Sequence, residues 1–470
     1  MTKSQTTYDA IIIGAGISGL VCGCYLAKAG MKVLIVEQHD KPGGYFTSFK
    51  RKGFLFDSAA HSFGNYREGG HVYKIFTELG VDKIIKIERF DPSDIIIAPD
   101  FTMTFWNDKD TTLAGLATLF PQEKDNLKKF FDFLMSSNQA QFSTLKSKTF
   151  ESLLRSFFRD EKLISSFAIP VFGNGGLPPS LMHAFSGSKI FSEFIIDGGY
   201  YPEGGIQNMP NAFDYIIKEN HGKILYRTLV NEILVTHDSV VGVKLENNVT
   251  LSSKYVISAC DMNQTYTRLL RETIPDKQRI ESLKNMVPSI STFILYIGIN
   301  KPFAGLPPPG TNTWYLPHYD LDEIYSQIQQ CNFGKAGMYM FRVSPDQKTL
   351  LAFVGAPFMN KLFWKENKKK VADNFLNRIE TLFPNIRENI VYFDAATPHT
   401  LYRYTLNSQG AAFGWAKTTS QTYDALFSKT TGIRGLYLTG HWTSIAFGMP
   451  GTCYSGHDTA KRILRKEKMK

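Results

Sequence analysis

The hydrophobic pattern near the start of the chain predicts a strand, a helix and a second strand. Residues 10–13 and 33–36 form two uninterrupted apolar runs that are rich in β-branched side chains. Between these runs, apolar residues recur at helical spacing, at Ile17, Leu20, Val21 and Cys24. One face of this helix is therefore apolar and is expected to pack on a sheet. The pattern predicts a βαβ unit.

Three glycines, Gly14, Gly16 and Gly19, lie where the first strand meets the helix, at the spacing of a dinucleotide-binding turn. Gly14 permits the tight turn, Gly16 lets the backbone approach a pyrophosphate, and Gly19 lets the helix pack closely on the strand. The helix N-terminus offers free N–H groups to phosphate. The second strand ends at Glu37, whose carboxylate can accept hydrogen bonds from ribose hydroxyls. This order of elements predicts a bound dinucleotide rather than a glycine-rich turn without a ligand.

Residues 10–27 carry no charge, so a membrane span or a signal peptide is the competing interpretation. The segment contains four glycines and follows directly on the acidic Asp9. A signal peptide needs a basic leading region and a small-residue cleavage site, and neither is clear here. The nucleotide-binding interpretation is therefore preferred.

The remaining pattern alternates between helical and strand-rich stretches. Residues 113–167 have a helical period, residues 173–179 are rich in glycine and proline and predict a loop, and residues 209–219 predict a helix. Further strands are expected at 224–226, 232–236, 240–245, 254–258, 292–299, 350–354 and 435–440, with helices at 369–383 and, after a glycine-rich stretch at 448–451, up to 464. No second strand–glycine–helix unit is found, which argues against a separate NADPH domain.

Composition places the chain among globular proteins, because 43% of its 470 residues are hydrophobic and 20% are charged. The net charge of +10 is not accompanied by a recognisable nucleic-acid-binding motif, so no nucleic acid partner is expected. The simplest interpretation of the positive charge is that it keeps the protein soluble. The more specific interpretation is that it attracts the protein to anionic lipid head groups. The basic tail at 461–470 and the cluster Phe363-Trp364-Lys365 are candidate contacts for such a surface.

The five cysteines are sparse and odd in number, so neither a disulfide framework nor a metal site is expected, and a reducing cytoplasm is the default location. Phenylalanine is abundant, with 36 residues, many of them between 101 and 172. Most are expected to form an ordinary helical core, and a minority are candidates for lining an apolar substrate channel.

Three groups of motifs resemble the FAD-dependent phytoene desaturase, carotenoid isomerase and retinol saturase family, within the flavin amine oxidase superfamily. The first group is the glycine turn followed by Glu37-Gln-His-Asp-Lys-Pro-Gly43-Gly44, and the second is Gly198-Gly199 with Tyr201-Pro202-x-Gly204-Gly205. The third is Leu436-Tyr-Leu-Thr-Gly440 with Gly448-x-Pro450-Gly451. These matches span almost the whole chain in the family's order. The resemblance is strongest to the retinol saturase branch. It rests on the sequence Glu37-Gln38-His39-Asp40 and on Asp57 with His61.

The resemblance implies an α/β fold, in which a Rossmann-type FAD-binding domain is joined to a substrate domain built on a mixed sheet with a helical cap. The implied segments are 1–105, 191–285 and 399–470 for the FAD-binding domain, 106–190 for the helical cap, and 286–398 for the substrate-binding sheet. By position, the implied FAD contacts are Gly14, Gly16, Ser18 and Gly19 at the pyrophosphate, Glu37 and Gln38 at the adenosine ribose, Gly43 and Gly44 near the same turn, Val230 at adenine, Gly440 and His441 at the ribityl chain, and Met449 and Gly451 at the flavin O2 side.

Two positions depart from the family pattern. His441 occupies the position after the strand glycine where the family usually has an acidic residue. The side chain expected at the ribityl chain therefore differs in charge from that of the family. Tyr45 follows Gly43-Gly44 where amine oxidases often have arginine, which disfavours the amine oxidase interpretation. His61 is the candidate catalytic side chain near the flavin, although a single histidine is more often structural.

The function implied is an oxidoreductase that uses FAD to saturate, desaturate or isomerise a C=C bond of an apolar isoprenoid or polyene. Two alternatives stay open at this point. One is a flavin amine oxidase, and the other is a non-catalytic prenyl-lipid binding protein of the GDP-dissociation-inhibitor kind that has lost FAD. The intact glycine turn and Glu37 oppose the second alternative.

Overall fold

The computed structural model describes residues 7–136, 144–270, 277–422, 431–443 and 448–468. Its strands, in chain order, are β1 (Thr7–Ile13), β2 (Val33–Val36), β3 (Ser48–Arg51), β4 (Phe54–Asp57), β5 (Ile87–Arg89), β6 (Asp94–Ile97), β7 (Thr102–Phe105), β8 (Tyr200–Pro202), β9 (Lys223–Leu225), β10 (Val230–Thr236), β11 (Ser239–Leu245), β12 (Thr250–Ser258), β13 (Ser291–Ile299), β14 (Asn312–Tyr315), β15 (Tyr339–Val343), β16 (Thr349–Ala356), β17 (Ile390–Ala396) and β18 (Leu436–Leu438).

The α-helices among the described residues are α1 (Ile17–Lys28), α2 (His71–Leu79), α3 (Lys109–Leu119), α4 (Lys124–Met135), α5 (Phe150–Phe157), α6 (Glu161–Gly175), α7 (Ala184–Ile190), α8 (Asn208–Glu219), α9 (Lys277–Asn285), α10 (Leu321–Gln329), α11 (Phe333–Ala336), α12 (Lys361–Leu382), α13 (Ile386–Asn389), α14 (Pro398–Thr405) and α15 (Gly448–Lys468). Helices α3 to α7 lie between β7 and β8 in the chain, within the segment for which the helical cap is predicted.

The first sheet contains the predicted βαβ unit. Strand β1 pairs in parallel with β2 on one side and with β12 on the other, and β18 continues the parallel set beside β12. The antiparallel hairpin of β10 and β11 extends the sheet from β12. Helix α1 packs on one face, and every residue of β2 is buried. This arrangement confirms the predicted Rossmann-type α/β fold.

The second sheet is mixed, with the strand order β17-β13-β16-β15-β14-β6-β7. Strand β13, between β17 and β16, is buried along all nine residues. Phe293 stacks on Trp364 of α12 on one face, and Tyr296 packs against Phe49 and Phe56 of the first part of the chain on the other. Strands β6 and β7 form one edge of this sheet, since β6 pairs in parallel with β14. The sequence placed these two strands in the segment 1–105 of the FAD-binding domain. The domain boundaries stay a prediction, and we propose that the second sheet begins at Asp94.

Three element boundaries differ from the sequence pattern. The stretch at 173–179 was predicted as a loop, but α6 continues to Gly175 and ends at Gly176, which has a φ of +76°. Gly173 is a packing glycine, since a Cβ there would lie 2.1 Å from the Trp314 ring. Helix α12 begins at Lys361, eight residues before its predicted start, because the Asn360 side chain caps it. Helix α15 includes the glycine-rich stretch from Gly448 onward.

No helix in the described part of the chain combines the length and the apolar composition needed to cross a bilayer. The uncharged segment at 10–27 is divided between β1, the glycine turn and α1, as the nucleotide-binding interpretation predicts.

Candidate functional site

A deep cavity lies between the two sheets, above the carboxyl ends of β1 and β2. Its empty volume is about 1700 Å³, including its opening to solvent. Its lining runs from the glycine turn to Thr292, Ile294 and Phe353 of the second sheet. The cavity therefore joins the βαβ unit to the second sheet.

The glycine turn forms the floor of this cavity. Gly14 has a φ of +99°, which a residue with a side chain rarely adopts, so the tight turn depends on glycine. Gly16 precedes the first turn of α1, and a Cβ at this position would have no atom within 4 Å. At Gly19, by contrast, a Cβ would lie 2.2 Å from the Gly14 carbonyl oxygen. The turn thus leaves free space beside the helix N-terminus and packs closely behind it.

Glu37 lies at the end of β2 and lines the cavity. Its two carboxylate oxygens accept hydrogen bonds from the backbone N–H of Ala15 at 2.7 Å and of His39 at 2.8 Å. Burial raises the pKa of Glu37 above its ordinary value, and these N–H groups oppose that shift. Each carboxylate oxygen can accept a second hydrogen bond, so the side chain is fixed in place with acceptor capacity left for a ligand.

Three distant segments meet beside the helix N-terminus. The Gly440 N–H donates to Ser455 Oγ at 2.9 Å, which joins the end of β18 to α15. A Cβ on Gly440 would lie 3.1 Å from Ser18 Oγ on α1, and one on Gly456 would lie 2.3 Å from the Ser18 carbonyl oxygen. These close approaches bring the first and third motif groups to one wall of the cavity.

The structure brings most of the predicted site residues together. The cavity is lined by Gly14, Gly16, Ser18, Glu37, Gln38, Gly43, Gly44, His61, Val230, Gly440, His441 and Met449. Gly19 and Gly451 do not line it, since Gly19 packs against the turn and Gly451 is buried within α15, where Thr452 faces the cavity instead. The Gln38 amide group donates to the Tyr404 carbonyl oxygen at 2.9 Å.

Two histidines in the cavity wall are neutral at physiological pH. Burial lowers the pKa of His61 to about 3, and the charge of Arg342 adds to this shift. Burial also lowers the pKa of His441 to about 3, with a contribution from the buried Lys417. His61 packs against Phe353, with ring centroids 5.3 Å apart. Because His61 is uncharged, it is unsuited to act as a strong acid near the cavity.

Arg342 lies behind His61 rather than in the cavity wall. Its guanidinium group lies over the Tyr201 ring at 4.8 Å and the Phe90 ring at 5.6 Å, and its side chain is buried. Asp57 and Asp94 provide nearby negative charge and help to keep this arginine protonated. This buried charge cluster therefore acts on the cavity through its effect on His61.

The end of the cavity against the second sheet is apolar. It is lined by Ala59, Phe194, Ile294, Phe353 and Phe413. Within the described residues, the acidic side chains that line the cavity are Glu37 and Asp261. Asp261 accepts hydrogen bonds from the backbone N–H of Gln264 and Ser408, close to the end of β12 and thus at the dinucleotide side. The apolar end has no carboxylate among these residues.

Sequence reasoning missed the polar residues of this apolar end, Asn174 and Thr292. Asn174 lies in the glycine-rich stretch that was predicted as a loop, and Thr292 lies near the start of a strand that is otherwise apolar. For Thr292, the sequence did contain a signal, which is a hydroxyl group within the otherwise apolar run Thr292-Phe-Ile-Leu.

Comparison with known proteins identifies the family. The sequence profile of the flavin containing amine oxidoreductases matches residues 17–464. The chain belongs to this family. The flavoprotein is 24% identical to prolycopene isomerase 1 of an Oncidium hybrid cultivar, covering 97% of this chain and 84% of that protein. It is 24% identical to the all-trans-retinol 13,14-reductase of Danio rerio, covering 92% and 82% respectively. It is 23% identical to the lycopene-forming phytoene desaturase of Pseudescherichia vulneris, covering 97% and 98%.

Solved structures show the same fold. An oxidoreductase from Methanosarcina mazei superimposes with a TM-score of 0.68 at 17% identity, covering 96% of this chain and all of that one. Cyclohexylamine oxidase from Brevibacterium oxydans superimposes with a TM-score of 0.64 at 16% identity, covering 98% and 99%. The resemblance stated from the sequence is confirmed, and the protein is an FAD-dependent oxidoreductase of the amine oxidase superfamily.

The residues present fit FAD, the cofactor of this enzyme. The space beside Gly16 at the helix N-terminus suits a pyrophosphate, and the fixed carboxylate of Glu37 suits the adenosine ribose. The cavity then continues to the N-terminus of α15 and the apolar end. The non-catalytic prenyl-lipid-binding alternative assumed a protein that has lost FAD, so it no longer applies. The described residues contain no group of three or more His, Cys, Asp or Glu side chains arranged for a metal ion.

The pKa of His61 predicts how stability depends on pH. The unfolded chain takes up a proton on His61 near a pKa of about 6.5, whereas the folded chain does so only near 3. The free energy of unfolding therefore falls as the pH decreases from about 6.5 towards 3. Replacing His61 by phenylalanine is expected to remove about 2 kcal/mol of this loss at pH ~5. Urea unfolding at pH ~7 and ~5 measures the difference, and equal losses in both proteins would contradict a neutral His61 in the folded chain.

Proposed function

We propose that this enzyme acts on C=C or C–C bonds of an apolar isoprenoid or polyene, by desaturation, saturation or isomerisation. The apolar end of the cavity carries this proposal, because it offers a long hydrocarbon a binding surface beside the dinucleotide side. The names of three relatives, a prolycopene isomerase, an all-trans-retinol reductase and a phytoene desaturase, support the same substrate class.

For the cofactor contacts, we propose the positions that the sequence resemblance implied. Gly14, Gly16, Ser18 and Gly19 would hold or shape the pyrophosphate site, and Glu37 with Gln38 would hold the adenosine ribose. The others are Gly43 and Gly44 beside the turn, Val230 at adenine, Gly440 and His441 at the ribityl chain, and Met449 and Gly451 at the flavin.

FAD, when bound, supplies a two-electron centre that accepts or donates a hydride. The chain's own residues bind, orient and exclude water. Phe194, Ile294, Phe353 and Phe413 provide apolar contact that would hold a hydrocarbon in place and keep water out. Neutral His61 would shape the wall beside the reacting bond, and we propose it as a contact residue rather than as a proton donor.

A flavin amine oxidase is the second candidate, since solved structures of this fold include amine oxidases. The absence of a carboxylate among the described residues at the apolar end disfavours it, because an ammonium group would have no counter-charge there. Purified holoenzyme should be assayed with a panel of amines for hydrogen peroxide and with polyenes for product formation. Polyene turnover without peroxide from amines is expected. Peroxide from an amine without any polyene turnover would reverse the assignment.

For access to a lipid-soluble substrate, we propose peripheral contact with an anionic membrane. The sequence suggested Phe363-Trp364-Lys365 and the basic tail, whose last two residues lie outside the described residues. Trp364 does not take part in such a contact, since it is buried and stacks on Phe293. Helix α12 instead exposes Leu362 beside a row of basic residues at Lys361, Lys365 and Lys369.

The protein is expected to sediment with anionic liposomes and to be released by salt. Each lysine near such a surface contributes about 1 kcal/mol. Changing Lys361, Lys365 and Lys369 together to glutamate should abolish sedimentation. The matched control changes three exposed lysines of α4 to glutamate, at Lys124, Lys128 and Lys129. Equal loss in both triple variants would show that net charge alone is responsible, and equal binding to neutral liposomes would exclude the electrostatic contact.

A further inference from the structure

Three polar side chains form a row on the second sheet, beside the apolar end of the cavity. Asp94 on β6, Asn312 on β14 and Arg342 on β15 are register partners on adjacent strands, so their side chains share one face of the sheet. The Trp314 indole donates to Asp94 Oδ1 at 2.8 Å and packs against the Phe353 ring, with ring centroids 6.1 Å apart. Because Phe353 lines the apolar end, this polar row lies next to that wall.

Hydrogen bonds join the polar row to the cavity. The Asn312 amide nitrogen donates to Asp94 Oδ1 at 3.2 Å and to Ser62 Oγ at 3.4 Å, and Ser62 lines the cavity. Asp94 Oδ1 also accepts from Trp314, so it acts as an acceptor and fixes the direction of the Asn312 amide. A single amide group therefore separates the Asp94 carboxylate from a hydroxyl in the cavity wall.

The polar row contains buried atoms that have no hydrogen-bond partner among the described residues. They are Asp94 Oδ2, Asn312 Oδ1 and all three guanidinium nitrogens of Arg342. Most buried polar groups in folded proteins are hydrogen-bonded, either to protein or to ordered water. The row thus presents donors from Arg342 beside acceptors from Asp94 and Asn312.

Water is the ligand that fits these atoms. A cation would be repelled by Arg342, and an anion would be repelled by Asp94 and Asp57, which both lie close enough to act on Arg342. A buried water molecule makes about three hydrogen bonds to otherwise unpaired polar groups. It can accept from Arg342 and donate to Asp94 Oδ2 and Asn312 Oδ1.

The redox reactions proposed for this enzyme require a group that exchanges a proton. Desaturation removes a hydride from one carbon and a proton from its neighbour. The hydride, with its electron pair, goes to oxidised FAD, and the proton goes to a base. Saturation reverses both transfers and uses reduced FAD and an acid. The acidic side chains in the described cavity wall, Glu37 and Asp261, lie at the dinucleotide side, whereas the polar row supplies a carboxylate beside the apolar end.

We propose that water held by Asp94, Asn312 and Arg342 passes a proton between the substrate and Asp94, with the Ser62 hydroxyl as the link to the cavity. In desaturation, the hydroxyl and the water each take up one proton and release another, and the last proton binds the Asp94 carboxylate. In saturation, protonated Asp94 returns it. The inference rests on the proposed function and narrows it to desaturation or saturation, since isomerisation neither gains nor loses a proton.

The environment of Asp94 suits proton exchange near neutral pH. Burial raises the pKa of Asp94 to about 6, while hydrogen bonds from Trp314 and Asn312 and the charge of Arg342 oppose this shift. A group whose pKa lies near the working pH is effective both as an acid and as a base.

The other titratable groups packed around Asp94 and Arg342 in the described part of the chain are Asp57 on β4, Tyr201 on β8 and His61 in the cavity wall. Burial raises the pKa of Tyr201 and lowers that of His61 to about 3, so both are neutral near pH ~6. Burial also raises the pKa of Asp57, whose Oδ2 accepts from the Tyr201 hydroxyl at 2.6 Å. Asp57 is therefore the neighbouring acid that an experiment must distinguish from Asp94.

The test follows single turnovers without oxygen between pH ~5 and ~7, the range around the pKa of Asp94. Oxidised holoenzyme is mixed with phytoene, dithionite-reduced holoenzyme is mixed with all-trans-retinol, and flavin absorption gives the rate for the polyene that is converted. Flavin reduction should become faster as the pH rises, because ionised Asp94 accepts the proton. Flavin oxidation should become slower, because protonated Asp94 donates it.

Asp94→Asn keeps an oxygen that accepts from Trp314 and Asn312, so this variant is expected to fold and to bind FAD. Its rate should fall at least ~100-fold and should no longer depend on pH in this range. Asp57→Asn is the matched control, since it removes the neighbouring buried acid and should keep the pH dependence. A high-resolution crystal structure gives a readout that does not depend on turnover, and it should show water within hydrogen-bond distance of both Arg342 and Asp94.

Four results would overturn the inference and leave the proposed function standing. They are a wild-type rate that does not change with pH, a pH dependence that survives in Asp94→Asn, a polar row without water in the crystal structure, and conversion of the polyene by isomerisation alone. If the wild-type enzyme converted neither polyene, the proposed function itself would be overturned, and the inference with it.

Discussion

Replacing Gly16 by valine is expected to give a folded protein that no longer retains FAD. The backbone at Gly16 has a φ of −69° and a ψ of 170°, which valine adopts readily. A Cβ there meets no protein atom within 4 Å, so the fold itself has room for the side chain. The valine methyl groups would occupy the space beside the N-terminus of α1 that suits the pyrophosphate. We expect flavin affinity to fall at least ~100-fold, which corresponds to about 2.7 kcal/mol.

The measurement is the ratio of flavin to protein after purification, together with circular dichroism to confirm the fold. Gly19→Val is the informative contrast, because its Cβ would lie 2.2 Å from the Gly14 carbonyl oxygen. That variant is expected to lose folding and not only flavin. Full flavin content in folded Gly16→Val protein would place the pyrophosphate elsewhere.

Replacing Glu37 by alanine is expected to weaken FAD binding by about two to four orders of magnitude. The change removes the acceptors proposed for two ribose hydroxyls, and hydrogen bonds to a charged group contribute about 1.5–3 kcal/mol each. It also leaves the N–H groups of Ala15 and His39 without their present acceptor, so the thermal stability of the protein should fall as well.

Glu37→Gln separates these two effects. The glutamine keeps one oxygen of similar position, so one of the two backbone N–H groups retains an acceptor. We expect its flavin affinity and its stability to lie between those of the wild-type and alanine proteins. Isothermal titration of the flavin-free proteins with FAD gives the affinities. Wild-type affinity in Glu37→Ala would contradict the assigned ribose contact.

The predicted site residues that local chain order alone brings to the cavity are the glycine turn and Glu37. The glycine turn and Glu37 lie at the ends of the two strands of one βαβ unit. Because these strands pair in parallel, the geometry of the unit places the turn and Glu37 side by side. The family resemblance added the distant Gly440 and Met449, which a local pattern alone does not connect to the same cavity.

The sequence pattern and the structure differ where packing between distant segments decides the structure. Gly173 resembles a helix breaker in sequence, but its missing side chain makes room for Trp314 within a continuous helix, and this hid Asn174. Strands β6 and β7 join the second sheet through pairing with β14, more than 200 residues later in the chain. The inward direction of Trp364 likewise depends on contacts with Phe293 and Phe333 that have no local signature.

The most direct test of the central claim is a single turnover without oxygen, in which oxidised holoenzyme and, separately, dithionite-reduced holoenzyme are mixed with a polyene and both partners are analysed. Flavin absorption reports the electron balance, and mass spectrometry of the polyene reports a gain of two hydrogens, a loss of two hydrogens or an unchanged mass with altered geometry. We predict that the polyene is converted, with reduced flavin consumed in saturation, reduced flavin formed in desaturation, or no net flavin change in isomerisation. An unchanged polyene, with flavin that is reduced only by amines, would contradict the account.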